Sequence, residues 1–181
     1  QRLVPAIKLI LFFSFLFFNY SCKNDASQVK SFYQENHPIE IIEDAELIHT
    51  EFGNIKLKIK AEKIERFVKD NPRLVFSNNI EVIFFDKLSD TISNLKANKA
   101  VIDETSKLME ARENVVLISR EGNKLETDHL IWDEKKEKIY TEAKVVITTE
   151  REVINAEGFI SDPNFIEYSL FKVNGVISIE H

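Results

Sequence analysis

The sequence predicts an all-β body, rolled and elongated, built from antiparallel hairpins in series, and three observations carry that prediction. From Ile39 onward the apolar residues recur with period two, the spacing of a strand that buries one face. One short pattern returns four times at nearly constant intervals. Only four glycines and four prolines occur in 181 residues, so long strands with little loop are expected. A hydrophobic fraction of 44% supplies a core and excludes wholesale disorder.

The segment before the body reads as a targeting signal. Arg2 and Lys8 form a short basic region, which a start upstream of Gln1 would lengthen. Leu9–Phe18 (LILFFSFLFF) follows as an apolar run broken only by Ser14. Ten helical residues span about 15 Å, half of a ~30 Å hydrocarbon core, so the run predicts a signal-peptide core over residues 1–21 and not a membrane span. It ends at Asn19-Tyr20-Ser21-Cys22. Cys22 is the only cysteine, which excludes an internal disulfide, a cysteine-rich metal site and a CxxC redox motif. Its position, one small residue after the apolar run, resembles the lipobox of bacterial lipoproteins, with Asn19 where leucine is usual. That resemblance implies acylation of Cys22, and lipid attachment is physically sufficient as an anchor. The alternative is a signal peptide cut nearby, leaving a spare thiol. Removing residues 1–21 leaves 22 cations against 30 anions, a net charge of −8. An acidic body suits neither nucleic acid nor an anionic membrane surface.

Residues 22–38 are predicted as the lipidated cysteine and a flexible tether, polar, unpatterned and closed by Pro38. The body then runs over residues 39–181. Its cleanest strand is Asn54–Glu62, where Ile55, Leu57, Ile59 and Ala61 fall on one face and Lys56, Lys58, Lys60 and Glu62 on the other. One dry and one wet side is an antiparallel-sheet signature. LKANKAVID (Leu95–Asp103), LETDHLIWD (Leu125–Asp133) and INAEGFISD (Ile154–Asp162) align without gaps as aliphatic-x-[AT]-x-x-[ALF]-x-x-Asp. A fourth copy, IKAEKIERF (Ile59–Phe67), lacks the aspartate, and the offsets are 36, 30 and 29 residues. Each copy is followed by a second strand whose lead aliphatic is Ile80, Val115, Val145 or Val176, spaced 35, 30 and 31 apart. Two markers keeping one period predict a repeat of hairpins.

Within each copy the apolar parity switches: Leu95 and Ala97 share one parity, Ala100 and Ile102 the other. A plain strand would send the second pair to the wrong face. A bulge or bend is therefore predicted at Glu62-Lys63, Asn98-Lys99, Asp128-His129 and Glu157-Gly158. Turns are predicted at Asp103–Lys107, Asp133–Lys138 and Asp162–Asn164, because an aspartate carboxylate accepts hydrogen bonds from amides two residues on. Glu62–Asp70 is the best place for a short helical turn. Amphipathic strands in series must bury one face, by packing two sheets or rolling one up.

No chemistry of catalysis stands out. Asp103, Asp133 and Asp162 recur with hairpin spacing, as turn residues do. His37, His49, His129 and His181 are scattered, with no HxxxH or His–carboxylate pattern, so no metal site is expected, and no cofactor. GxxxxGK[ST], GxSxG and GxGxxG are absent from the sequence. The Lys56/Lys58/Lys60 row is either a solvated strand face or an attractor of phosphates.

The stretch from Leu125 to Val176 combines LETDxLxWD, KIYT, VxIT, GFxSDPxFxxYxL and NGV. This combination resembles the LptC family in the lipoprotein form typical of Bacteroidetes-like bacteria. Glu51-Phe52-Gly53, Ile59-Lys60-Ala61 and Glu113-Asn114-Val115-Val116 agree with it upstream. The resemblance covers roughly Ile39 to Ile179. It implies a twisted β-jellyroll shared with LptA, joined edge to edge with its neighbours. Such a protein takes lipopolysaccharide from the inner-membrane LptB/LptF/LptG transporter and passes it to an LptA-like periplasmic protein, without being an enzyme. Enterobacterial members resemble single-helix membrane proteins, whereas this chain looks lipidated, so either membrane could hold the anchor.

On that reading the interior candidates for acyl-chain contact are Leu57, Ile59, Ala61 and Ile64, then Phe76, Ile80 and Val82, then Leu95, Ala97 and Ala100. They continue with Val115 and Leu117, then Leu125, Leu130 and Trp132, then Val145, Ile147, Ile154, Phe159 and Val176. The plainer reading is that they fill an ordinary core, with Trp132 a large core residue whose N–H is satisfied at the rim. Two rival functions stay open: a soluble LptA-like bridge unit, and a periplasmic or surface lipoprotein serving as a β-sheet binding module for glycan or protein.

Overall fold

The computed structural model describes residues 37–68 and 73–178. The predicted signal peptide, Cys22 and most of the predicted tether lie outside the described residues. Among the described residues every regular element is a strand: β1 (Glu40–Glu51), β2 (Asn54–Phe67), β3 (Arg73–Phe85), β4 (Thr91–Asp103), β5 (Leu108–Ser119), β6 (Lys124–Asp133), β7 (Lys138–Thr148), β8 (Glu152–Ser161), β9 (Tyr168–Leu170) and β10 (Val173–Ser178). The first eight pair in chain order, all antiparallel, and β9 and β10 both pair with β8. The four sequence repeats are β2, β4, β6 and β8, each followed by its hairpin partner. The expected helical turn at Glu62–Asp70 does not form in its described part. Glu62–Phe67 continues β2, because β3 pairs with it as far as Phe67↔Arg73 and absorbs its backbone amides.

The strands β2–β8 are ten to fourteen residues long, and each breaks register near its middle. Between β3 and β4, Asn78 and Asn79 stand against Asn98 alone; between β5 and β6, Glu113 and Asn114 stand against Asp128; between β7 and β8, Glu142 and Ala143 stand against Gly158. These are two-for-one bulges, and they fall where the parity switch places them. The repeat strands were expected to carry the irregularity, but the extra residue sits on the strand that follows. Asn78, Asn79, Glu113 and Asn114 take left-handed φ of 62°, 45°, 65° and 54°. Asparagine tolerates that region because its short side chain bonds locally. On β8 the same line passes through Gly158, at φ +88°. A Cβ there would lie 2.9 Å from the Phe171 ring, so only glycine lets β9–β10 close against β8.

The aligned bulges form a crease across the sheet. Beside it small inward side chains (Ala61, Ala97, Ala100, Ala111, Thr127, Thr141 and Ala156) pack across the ladder from large ones such as Ile80, Val115, Leu130, Val145 and Phe159, all buried. Farther from the crease they are large: Leu57, Ile59, Val82, Leu95, Leu117, Leu125, Ile139 and Ile147. With one sheet and no helix among the described residues, these can be covered only by the sheet itself. Contacts between strands that the ladder holds three or four apart show how. Phe84 on β3 stacks edge-on against Trp132 on β6, ring centroids 5.7 Å apart. The Ser93 hydroxyl on β4 donates to the Pro163 carbonyl beyond β8. The half of the sheet bearing the β1–β2 and β3–β4 turns thus faces the half bearing the β6–β7 and β8–β9 turns.

The turn aspartates act as expected at two of three places. Asp103 Oδ1 accepts from the amides of Thr105 (2.8 Å) and Ser106 (2.7 Å), and Asp133 Oδ1 accepts from that of Lys136 (3.1 Å). At the third, Asp162 uses its backbone carbonyl, which accepts from Phe165 N, while its carboxylate pairs with Lys138. Asp86 caps the β3–β4 turn in the same way through the amides of Leu88 and Asp90. The amides of Ser106 and Thr105 hold Asp103 below the usual carboxylate range, and the Lys136 ammonium does the same for Asp133.

Two outcomes follow from crease and turns. Ala97→Leu, which puts a branched side chain where the two halves converge, is expected to cost about 1–3 kcal/mol by overpacking, read from urea denaturation midpoints. Both aspartates are more acidic folded than unfolded, so their contribution is complete above the unfolded value and lost as pH falls through the folded one. Thermal denaturation is therefore expected to be nearly flat from about pH 5 to pH 8 and to drop below about pH 4. Asp103→Asn and Asp133→Asn together should flatten that drop.

Candidate functional site

The inward face is continuous. The candidates from Leu57 to Phe159 on β2–β8 are buried in one cluster, apart from Trp132, which is partly buried and packs against it. Val176 is not inside: it lies on β10, exposed at the border of the sheet, because β10 has no strand beyond it and nothing covers its face. Sequence reasoning missed Phe84, Met109, Ala111, Ile139, Ala156 and Phe165, all buried. Ile139 and Phe165 were within reach, since they sit in the KIYT and SDPxF clusters. Phe165 stacks edge-on with Phe159, 5.3 Å between centroids, and closes the core beyond β8. The inward face is filled by its own side chains.

Open space lies at the seam where the two halves meet. A cavity of about 590 Å³ is bounded by the β1–β2 turn on one side and the β6–β7 turn on the other. Its apolar wall comprises Phe52, Phe84, Phe85, Ile92, Trp132 and Pro163. The Trp132 indole N–H is buried at that wall with no acceptor among the described residues, contrary to the expectation that it is satisfied at the rim. Trp132 packs edge-on against Phe84, and its N–H stays buried beneath that wall.

The polar rim is balanced. Lys56 reaches Glu137 at 2.7 Å and Glu51 at 3.2 Å, and Lys138 pairs with Asp162. The hydrogen bond from Lys56 pulls Glu137 below the ordinary carboxylate range, and Glu137 raises Lys56 in return. His49 Nε2 lies 2.6 Å from Glu134 Oε1. These pairs join residues 81 and 85 apart in sequence, which no local pattern could bring together. The rest of the lysine row is neutralised by β1: Lys58 and Lys60 both approach Glu46, at 3.0 and 3.9 Å. A second histidine–carboxylate contact, His129 to Glu110 at 2.6 Å, also holds Arg112 and lies on the outer face.

The β1–β2 turn itself is unusual. Phe52 and Gly53 both take positive φ, 49° and 83°, as a two-residue hairpin turn requires, a place suited to Asn-Gly. A phenylalanine there is strained, and it is also 96% exposed at the cavity mouth.

Among the described residues two edges bound the face: β1 pairs there only with β2, and β10 only with β8. β1 exposes Ile41, Ile42 and Ile48 among the acidic Glu40, Glu43, Asp44 and Glu46; β10 exposes Val173, Val176 and Ile177. Unpaired amides beside exposed aliphatics make both edges able to add a strand from another chain.

A comparison with curated proteins found no match. A family profile described as "Lipopolysaccharide-assembly, LptC-related" matches residues 6–163, a span that runs through β8 and stops in the loop before β9. With that match over most of its length, on an all-β sheet of consecutive, unclosed hairpins, the chain belongs to the LptC family: a non-enzymatic, periplasmic component of lipopolysaccharide transport, associated with the inner membrane.

Proposed function

We propose that this protein is a membrane-anchored link of the lipopolysaccharide export bridge, held by acylated Cys22 and a tether over residues 22–38. It takes lipopolysaccharide from the inner-membrane LptB/LptF/LptG transporter and delivers it to an LptA-like protein. The observation that carries this reading is one continuous apolar face bounded at each end by an unpaired edge strand. A neighbour pairing with β1 and another with β10 would extend that face in both directions, while each pairing satisfies exposed amides. Acyl chains leaving water gain about 25 cal/mol per Å² of apolar surface buried, so they hold well against such a face. The anionic body, net −8 without residues 1–21, does not hold the phosphorylated head on its surface, which leaves acyl-chain burial as the main attraction.

The buried lysine-free interior favours this reading over a glycan-binding module, which would need polar or aromatic platforms facing solvent. A soluble bridge unit would share the fold and the edges, and differs only in lacking the anchor. A photo-crosslinking residue at Leu117 or Val145 in living cells is expected to give lipopolysaccharide adducts, and one at Lys58 none. The same residue at Ile41 and at Val176 should trap different protein partners. Absence of lipid adducts along the whole inner face would remove lipid transfer, and membrane retention of Cys22→Ala would remove the acyl anchor.

A further inference from the structure

An interior filled by its own side chains admits an acyl chain only where the sheet can part. Along β1 to β10 neighbouring strands are joined by backbone ladders, which open only at the cost of many hydrogen bonds. Across the seam the described hydrogen bonds all involve side chains. At the cavity they are His49–Glu134 and Lys56–Glu137, both partly solvent-exposed. Exposed ion pairs contribute little and exchange readily with water. The seam is therefore the line of least resistance in the roll.

What lies beneath it suits an alkyl chain. The cavity wall is aromatic and aliphatic, and it continues into the buried cluster through Phe84 and Trp132. Its volume is in the range that holds a single small ligand or one chain of a larger lipid. The Trp132 ring forms part of the wall, packed against Phe84, so a chain in the cavity lies against the indole. Phe52, strained and exposed at the mouth, places an aromatic ring where neither local conformation nor burial in the free protein favours it. Contact with an apolar ligand gives that ring a partner.

We infer that this seam is a lateral portal. One acyl chain of the transported lipid passes between the β1–β2 and β6–β7 turns, with His49–Glu134 and Lys56–Glu137 as its latch and Phe52 as its lip. The inference rests on the proposed reading that acyl chains lie against the inner face, and it adds where they get in and what holds that place shut.

Trp132 is the only tryptophan of the chain, so its fluorescence reports on the portal directly. The full chain carrying Cys22→Ser is mixed with a dibrominated stearic acid, whose bromines quench indole emission on contact. Saturable quenching is expected, relieved by added lipopolysaccharide. Quenching that lipopolysaccharide leaves unchanged would assign the cavity to free fatty acids and overturn the portal. Glu134→Gln with Glu137→Gln, which opens the latch, should speed quenching several-fold. His49→Cys with Glu134→Cys, joined by a short bismaleimide, should abolish it, and the same variant before joining should not. Phe52→Asn is expected to keep or raise the melting temperature while weakening quenching, an outcome that a purely structural role for Phe52 would not produce. If the joined protein is quenched as fast as the open one, the portal falls while the inner lipid path stands. If no variant is quenched and Leu117 gives no lipid adducts, both fall.

Discussion

A strand with one extra residue at its middle swings its two halves toward each other, and the inward side chains nearest the bend then meet at close range. Ala61, Ala97, Ala100, Ala111, Ala156 and the threonines at 127 and 141 occupy many of those places, which makes room for the large neighbours Ile80, Val115, Val145 and Phe159 beside them. Everything else in the molecule depends on this small-residue crease. It lets a single sheet serve as both walls of its own core, so no helix or second sheet is needed to bury Phe76, Leu117 or Phe159. It also fixes which turns come face to face, and so creates the seam between the β1–β2 and β6–β7 turns. Close packing of interiors explains the pairing: a large side chain on one strand is matched by a small one on the strand beside it.

Much of this could be read from the residues because the constraint is local. The parity switch within LKANKAVID and its relatives follows from a bend that every copy must make, and the [AT] position of the pattern is the crease itself. Asp103 and Asp133 were legible for the same reason, since an aspartate and the amides it caps lie within one turn. The seam was not legible. His49 meets Glu134 only after five intervening strands, and Lys56 meets Glu137 after four, have been laid down and folded over, and nothing in either neighbourhood marks the other. Glu62–Phe67 looked helical because its charged and apolar residues are out of strand phase just past the bend, and pairing with β3 overrode that local pattern. Val176 keeps the spacing of its repeat but lies on the last strand, where no further hairpin covers it. Repeat position predicts burial only while there is a next repeat.

The filled core and the carrying role pull in opposite directions, and the distribution of strong and weak joints reconciles them. Side chains at full packing density give the roll its stability, whereas a hollow groove exposed to water would lose it. On the proposed reading an acyl chain is accommodated transiently, by displacing part of the contact between the two halves. The backbone ladders make that displacement costly everywhere except along the line closed by exposed ion pairs. Binding weak enough to be reversed by a neighbour suits a protein that does no chemistry of its own.

The two borders of the sheet are not alike. β1 is a single run of twelve residues, long and acidic. The opposite border is broken in two: β9 and β10 are three and six residues long, separated by Phe171 and by Lys172 at φ +21°. A border of one long strand, bent only at Asp44 (φ +48°) and at His49/Thr50, and one split into two short strands offer a neighbour different ladders. The molecule therefore has a front and a back, and a row assembled from such parts carries one orientation throughout, set by the geometry of its joints.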